Sequence, residues 1–66
     1  MPTSSAMQMR LDEAYRRKKE LDEVGLVEFG WDEMRILPLF LTLMPTAEVF
    51  QLTRHEDKVR VVRPPF

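Results

Sequence analysis

The chain contains no cysteine and a single histidine, His55, so its 66 residues have to form a core without disulfides or a thiolate zinc site. A chain of this length buries only about 60% of the surface that its unfolded state exposes. Its hydrophobic content of 44% is nevertheless typical of a folded protein. The sequence therefore predicts one small domain over residues 1–66, stabilised further by self-association or by a bound partner.

The amino-terminal third of the chain predicts an amphipathic helix over residues 6–24. Ser5 and Gln8 have the spacing of a capping box at its start. Gly25 suits the position just beyond its end, where glycine accepts a left-handed conformation. At helical intervals, an apolar stripe about 120° wide is formed by Met7, Leu11, Ala14, Tyr15 and Leu21.

The apolar segment 34–43 predicts a strand with two apolar faces. Its leucines recur at every second position, which is the strand period. A helix capped by Asp32 is the alternative, but Pro38 inside a helix would cost about 3 kcal/mol. Because proline cannot donate to a ladder, the predicted strand belongs at a sheet edge.

The carboxyl-terminal third predicts a β-hairpin with strands over 48–54 and 58–63, joined at the polar residues 55–58. The alternative to the first of these strands is a helix that Thr46 caps. The predicted fold is α+β, with one amino-terminal helix packed on a small three-stranded antiparallel β-meander. The alternative fold is mostly α, with a short carboxyl-terminal strand or hairpin.

The residues needed for catalysis are not arranged in any recognisable pattern. His55 is the only histidine and lies in a predicted turn, far along the chain from Ser4 and Ser5. The two glycines, Gly25 and Gly30, do not form a phosphate-binding loop. We therefore expect no enzymatic activity, no cofactor and no metal site.

The segment from Glu20 to Glu33 is acidic and contains no lysine or arginine. Aromatic side chains ringed by carboxylates suit a partner with a basic surface. The alternative is that Trp31 only covers the end of the core. The predicted partner-binding residues are Glu28, Phe29, Trp31, Asp32 and Glu33.

Two further surfaces follow from the predicted strands. One face of the 34–43 strand predicts self-association through Ile36, Phe40 and Met44. The hairpin carries basic residues that could follow a phosphate backbone. These residues are Arg54, Lys58, Arg60 and Arg63.

A formal net charge of −1 gives the chain no general attraction to nucleic acid or to anionic membranes. The segment 1–6 lacks the features of a signal peptide, and the longest apolar run, 36–41, is too short to span a bilayer. We expect a cytoplasmic, non-enzymatic protein–protein interaction module, acting as a regulator, adaptor or inhibitor of a larger partner and forming a homo-oligomer. The alternative is a small nucleic-acid-binding transcriptional regulator.

Overall fold

The computed structural model describes residues 5–66 and has α+β architecture, as predicted. Helix α1 spans Ser5–Val24 and strand β1 spans Leu26–Gly30, followed by a short 3₁₀ helix over Trp31–Glu33. Helix α2 spans Leu37–Thr42. Strands β2, Gln51–Arg54, and β3, Lys58–Val62, complete the fold. No helix within the described residues has both the length and the apolar character needed to cross a bilayer.

Helix α1 agrees closely with the helix predicted over residues 6–24. Ala14 and Leu21 are buried, whereas Tyr15 at the margin of the predicted stripe is exposed. Gly25 ends the helix at φ +87°, and its N–H donates to Leu21 O at 2.8 Å. The capping box is not formed, because Ser5 already lies in the helix and Gln8 donates to Asp12.

The strand predicted over residues 34–43 is wrong, because this segment contains helix α2. Pro38 lies in the first turn of α2, where its missing N–H would have had no partner within the helix. Proline opposes a helix only beyond its first turn, and Pro38 does not lie there. With proline in the first turn, the leucines that follow are compatible with a helix, and packing of the Phe40 ring against Phe29 stabilises it.

The sheet is antiparallel with strand order β1-β3-β2, so it is not the predicted β-meander. No strand was predicted for residues 26–30, whereas they form strand β1 and pair with β3. The hairpin prediction is confirmed, although β2 begins at Gln51 and not at residue 48. The alternative helix capped by Thr46 is not formed.

The core lies between the two helices and one face of the sheet. Phe29 of β1 and Phe40 of α2 are fully buried, with ring centroids 5.1 Å apart and ring planes inclined at 59°. The remaining members of the buried cluster are Ala14, Leu21, Val27, Met44 and Val61. The opposite face of the sheet carries Glu28 and Arg60, which are direct partners in the register.

Candidate interaction site

Trp31 stands at the end of β1 and packs against the β2–β3 hairpin. Its indole Nε1–H donates to the backbone oxygen of Glu56 at 3.0 Å. The guanidinium of Arg54 lies over its ring, 5.2 Å from the centroid. The side chain is nevertheless 46% exposed, so one part of the ring is held by the hairpin and another part faces solvent.

The turn that carries Trp31 is fixed from behind by two charged side chains. The carboxylate of Glu33 accepts the Gly30 N–H at 3.1 Å and forms an ion pair with Arg17 of α1. Arg17 also donates to the backbone oxygen of Glu28 at 2.8 Å and lies over the ring of Phe29. These contacts connect helix α1 to β1 and to the 3₁₀ helix, and they hold Trp31 at a defined place.

The predicted acidic and aromatic surface is divided by the fold. Phe29 is buried in the core, so it cannot be a partner anchor, and that part of the prediction is wrong. Glu33 is bound to Arg17, and Glu28 is bound to Arg60 on the opposite face of the sheet. Trp31 and Asp32 are the two predicted residues that remain exposed.

Glu28 forms a charged cluster on the outer face of the sheet. Arg60 donates to its Oε2 from Nε at 3.0 Å and approaches it with Nη2 at 2.9 Å, and Lys58 Nζ lies 3.7 Å away. The hydrogen bond from Arg60, together with the positive charges of Lys58 and Arg60, holds the pKa of the Glu28 carboxyl below its ordinary value, against the opposing effect of desolvation. This cluster pairs β1 with β3 across the sheet.

The surface predicted for self-association is not exposed as expected. Phe40 is buried because α2 packs it against Phe29, and Met44, two residues beyond α2, is buried in the same cluster. Ile36 is partly buried and lines an open groove of about 420 Å³ beside Met9 and the amino-terminal half of α1. Self-association stays a prediction, without Phe40 and Met44 as its contact residues.

The four basic residues predicted for nucleic-acid binding do not form one surface. Lys58 and Arg60 lie on the outer face and are paired with Glu28. Arg63 lies 3.6 Å from both Asp22 and Glu48, and Arg54 is stacked on Trp31. The register places Arg54 opposite Val59, on the face that carries the core. The fold therefore separates these cations and neutralises three of them.

Arg54 and Leu52 are two exposed residues of β2. Arg54 was predicted to bind nucleic acid, and Leu52 was not predicted as a site residue. They lie two positions apart on β2, so both side chains point to the same face of the sheet. Leu52 is 46% exposed although its cross-strand partner Val61 is fully buried. The available signal was the apolar Leu52 within the predicted hairpin arm, but its exposure depends on which part of the sheet the helices cover. We call Trp31, Asp32, Leu52 and Arg54 the Trp31 surface.

Two features bear on other kinds of site in the part of the chain that the structure describes. Residues 5–66 contain no group of three or more His, Asp or Glu side chains placed to hold a metal ion. The groove beside Met9 is open to solvent and is bordered by the mutually paired Glu13 and Arg16. Comparisons with protein-family models, curated proteins and solved structures give no match for this chain.

Proposed function

We propose that this chain is a non-enzymatic protein–protein interaction module that binds a larger protein through the Trp31 surface and acts as its regulator, adaptor or inhibitor. The observation that carries the proposal is the half-exposed indole of Trp31, which is held by a hydrogen bond to Glu56 O and by the stacked guanidinium of Arg54. Tryptophan, tyrosine and arginine are the residue types most enriched at the energetic centres of protein interfaces.

The restraint of Trp31 supports this proposal on energetic grounds. Each flexible side chain that becomes ordered on binding reduces the binding free energy by about 0.5–1.5 kcal/mol. Trp31 and Arg54 already hold each other in the free protein. The turn beneath them is fixed by Glu33 and Arg17. A partner therefore meets a surface whose largest side chain is preorganised.

The charges around Trp31 indicate which groups a partner would present. Within residues 5–66, neither Asp32 nor Arg54 takes part in an ion pair. A partner with a cation opposite Asp32 and a carboxylate opposite Arg54 would supply the counter-charge of each residue. This favours a partner of mixed charge, whereas the sequence alone predicted a basic one. Leu52 adds apolar area beside them.

Affinity capture with matched variants tests this function. Tagged wild-type chain, Trp31→Ala and Tyr15→Ala are each incubated with native extract, with and without nuclease. Tyr15 is an exposed aromatic of helix α1 and serves as the control. We expect a protein that is retained by wild type and Tyr15→Ala and is reduced about tenfold or more by Trp31→Ala, as for an interface anchor. Binding by the purified partner is then measured by calorimetry.

The same experiment separates this function from nucleic-acid binding. Capture that disappears after nuclease treatment, together with binding of mixed-sequence DNA or RNA that weakens steeply as salt rises, would contradict the proposal and favour the alternative. Equal capture of the same protein by wild type and Trp31→Ala would place the binding surface elsewhere on the chain.

A further inference from the structure

The two edge strands of the sheet differ in how their outward backbone groups are satisfied. The order β1-β3-β2 leaves one long side of β1 and one long side of β2 without a neighbouring strand. Such edges can pair with a strand from another chain unless something covers them. Which residues point outward follows from the alternation of hydrogen-bonded and non-hydrogen-bonded pairs in an antiparallel ladder.

Two hydrogen bonds fix this alternation. His55 N donates to Lys58 O at 2.8 Å, so the backbone groups of Leu52 and Arg54 point away from β3. Arg63 N donates to Gly25 O at 3.0 Å, so those of Glu28 and Gly30 point away from β3 on the other side of the sheet.

Side chains of the same chain cover two of the outward backbone groups of β1. Arg17 Nη1 donates to Glu28 O at 2.8 Å, and the Gly30 N–H donates to Glu33 Oε1 at 3.1 Å. An incoming strand would have to displace both groups, and these are themselves joined in an ion pair. Strand pairing at β1 is therefore blocked by the Arg17–Glu33 pair.

The outer edge of β2 has no comparable cover among residues 5–66. All four residues of β2 are exposed, and the strand contains no proline. No side chain in the described range hydrogen-bonds the outward N–H and C=O groups of Leu52 and Arg54. Four main-chain hydrogen-bonding groups are thus presented beside the Trp31 surface.

We propose that β2 accepts an extended, acidic segment of a partner protein as a fourth strand of the sheet, with a carboxylate of that segment opposite Arg54 and an apolar side chain beside Leu52. This inference rests on the proposed function and specifies its partner. Main-chain pairing supplies affinity, and the alternating side chains supply specificity. Arg54 is the only charged residue of β2, and its guanidinium has no carboxylate partner within the described range.

Charge selects an acidic partner strand over a second copy of this chain. Pairing β2 with its own copy would bring a second Arg54 and no carboxylate, because the strand reads Gln-Leu-Thr-Arg. Each guanidinium would then stay without a counter-charge at the interface, whereas an acidic strand provides one.

The probe is a capped nonapeptide in which valine and threonine alternate, beginning with valine, and glutamate replaces the central valine. A valine therefore lies two positions from the glutamate in either strand direction. Amide hydrogen exchange of the ¹⁵N-labelled chain is followed by NMR. In the free chain, the amides of Leu52 and Arg54 should exchange faster than those of Gln51 and Thr53, which face β3. Saturating peptide should slow exchange at Leu52 and Arg54 by about tenfold or more and leave Thr53 nearly unchanged.

A charge exchange tests the role of Arg54. The glutamate peptide should bind wild type at least about tenfold more tightly than a matched lysine peptide, and Arg54→Glu should reverse this order. Lys19→Glu, which changes an exposed cation of helix α1 by the same charge, should keep the wild-type preference. Trp31 is the only tryptophan, so its fluorescence reports binding beside the edge.

Three results would overturn the proposal. The first is that the glutamate peptide does not slow amide exchange at Leu52 and Arg54. The second is that Arg54→Glu does not change the preference between the two peptides. The third is that the free chain forms a dimer in which these two amides are already protected. If capture from extract still depends on Trp31 while the peptide result is negative, the proposed function stands and the strand-pairing mode is wrong. If capture does not depend on Trp31, the proposed function fails whatever the peptide does.

Discussion

The guanidinium of Arg17 donates a 2.8 Å hydrogen bond to the backbone oxygen of Glu28, which ties helix α1 to the outer edge of strand β1. The same side chain is 17% exposed, pairs with Glu13 and Glu33, and lies 5.3 Å from the centroid of the Phe29 ring. One arginine therefore joins the helix, the strand and the turn that carries Trp31.

Arg17→Met should destabilise the fold by about 2–3 kcal/mol, because it leaves the carboxylate of Glu33 and the oxygen of Glu28 without their partner in a partly buried place. Arg16→Met is the matched control. Its side chain is 73% exposed and pairs with Glu13 at the surface, so the change should be within about 0.5 kcal/mol. Urea denaturation followed by circular dichroism measures both, and equal effects would show that Arg17 is not a structural connection.

Trp31→Ala should retain a cooperative unfolding transition and lose about 1–2 kcal/mol, because the ring is about half exposed before truncation. Phe29→Ala removes a fully buried ring and should cost about 3–5 kcal/mol, enough to unfold a small domain. Thermal and urea unfolding of the two variants tests the difference. If Trp31→Ala abolished the folded signal, Trp31 would be a core residue and its role as a binding anchor would lose its support.

Glu28→Gln should reduce stability near neutral pH and have less effect in acid. Because the folded-state pKa of Glu28 is lowered, chiefly by the hydrogen bond from Arg60, its stabilising contribution is present above the unfolded-state pKa. The contribution is lost as pH falls through the folded-state value. The difference between wild type and variant should therefore be constant above about pH 6 and shrink below about pH 4. Urea denaturation of both proteins from about pH 3 to about pH 7 measures this stability difference. A difference that does not change with pH would contradict the ion pair.

Gly25→Ala should destabilise the fold by about 1 kcal/mol, because φ is +87° at this residue and alanine is strained there. Apart from Gly25 itself and its two chain neighbours, no heavy atom lies within 4 Å of the position that an added Cβ would occupy, so the expected cost is conformational and not steric crowding. Gly25→Asn should cost less, since asparagine tolerates the left-handed region better. Equal losses for both variants, measured by thermal unfolding, would argue against a conformational cause.

Local sequence signals predicted the parts of this fold that local physics determines. The apolar spacing of helix α1 and the glycine at its end act over one or two turns of chain. The polar residues 55–58, between the segment 48–54 and the valine-rich segment 58–63, likewise predicted the hairpin of β2 and β3. Each of these elements forms with residues close to it in the chain.

Tertiary structure alone decided the remainder. Strand β1 exists because Glu28 and its neighbours pair with β3, 32 residues further along the chain, which no short-range pattern specifies. Pro38 was compatible with both a strand edge and the first turn of a helix. Packing of the Phe40 ring against Phe29 favours the helix. The exposure of Trp31 and Leu52 was also undetermined by sequence, because burial depends on which surfaces the helices cover after every element has packed.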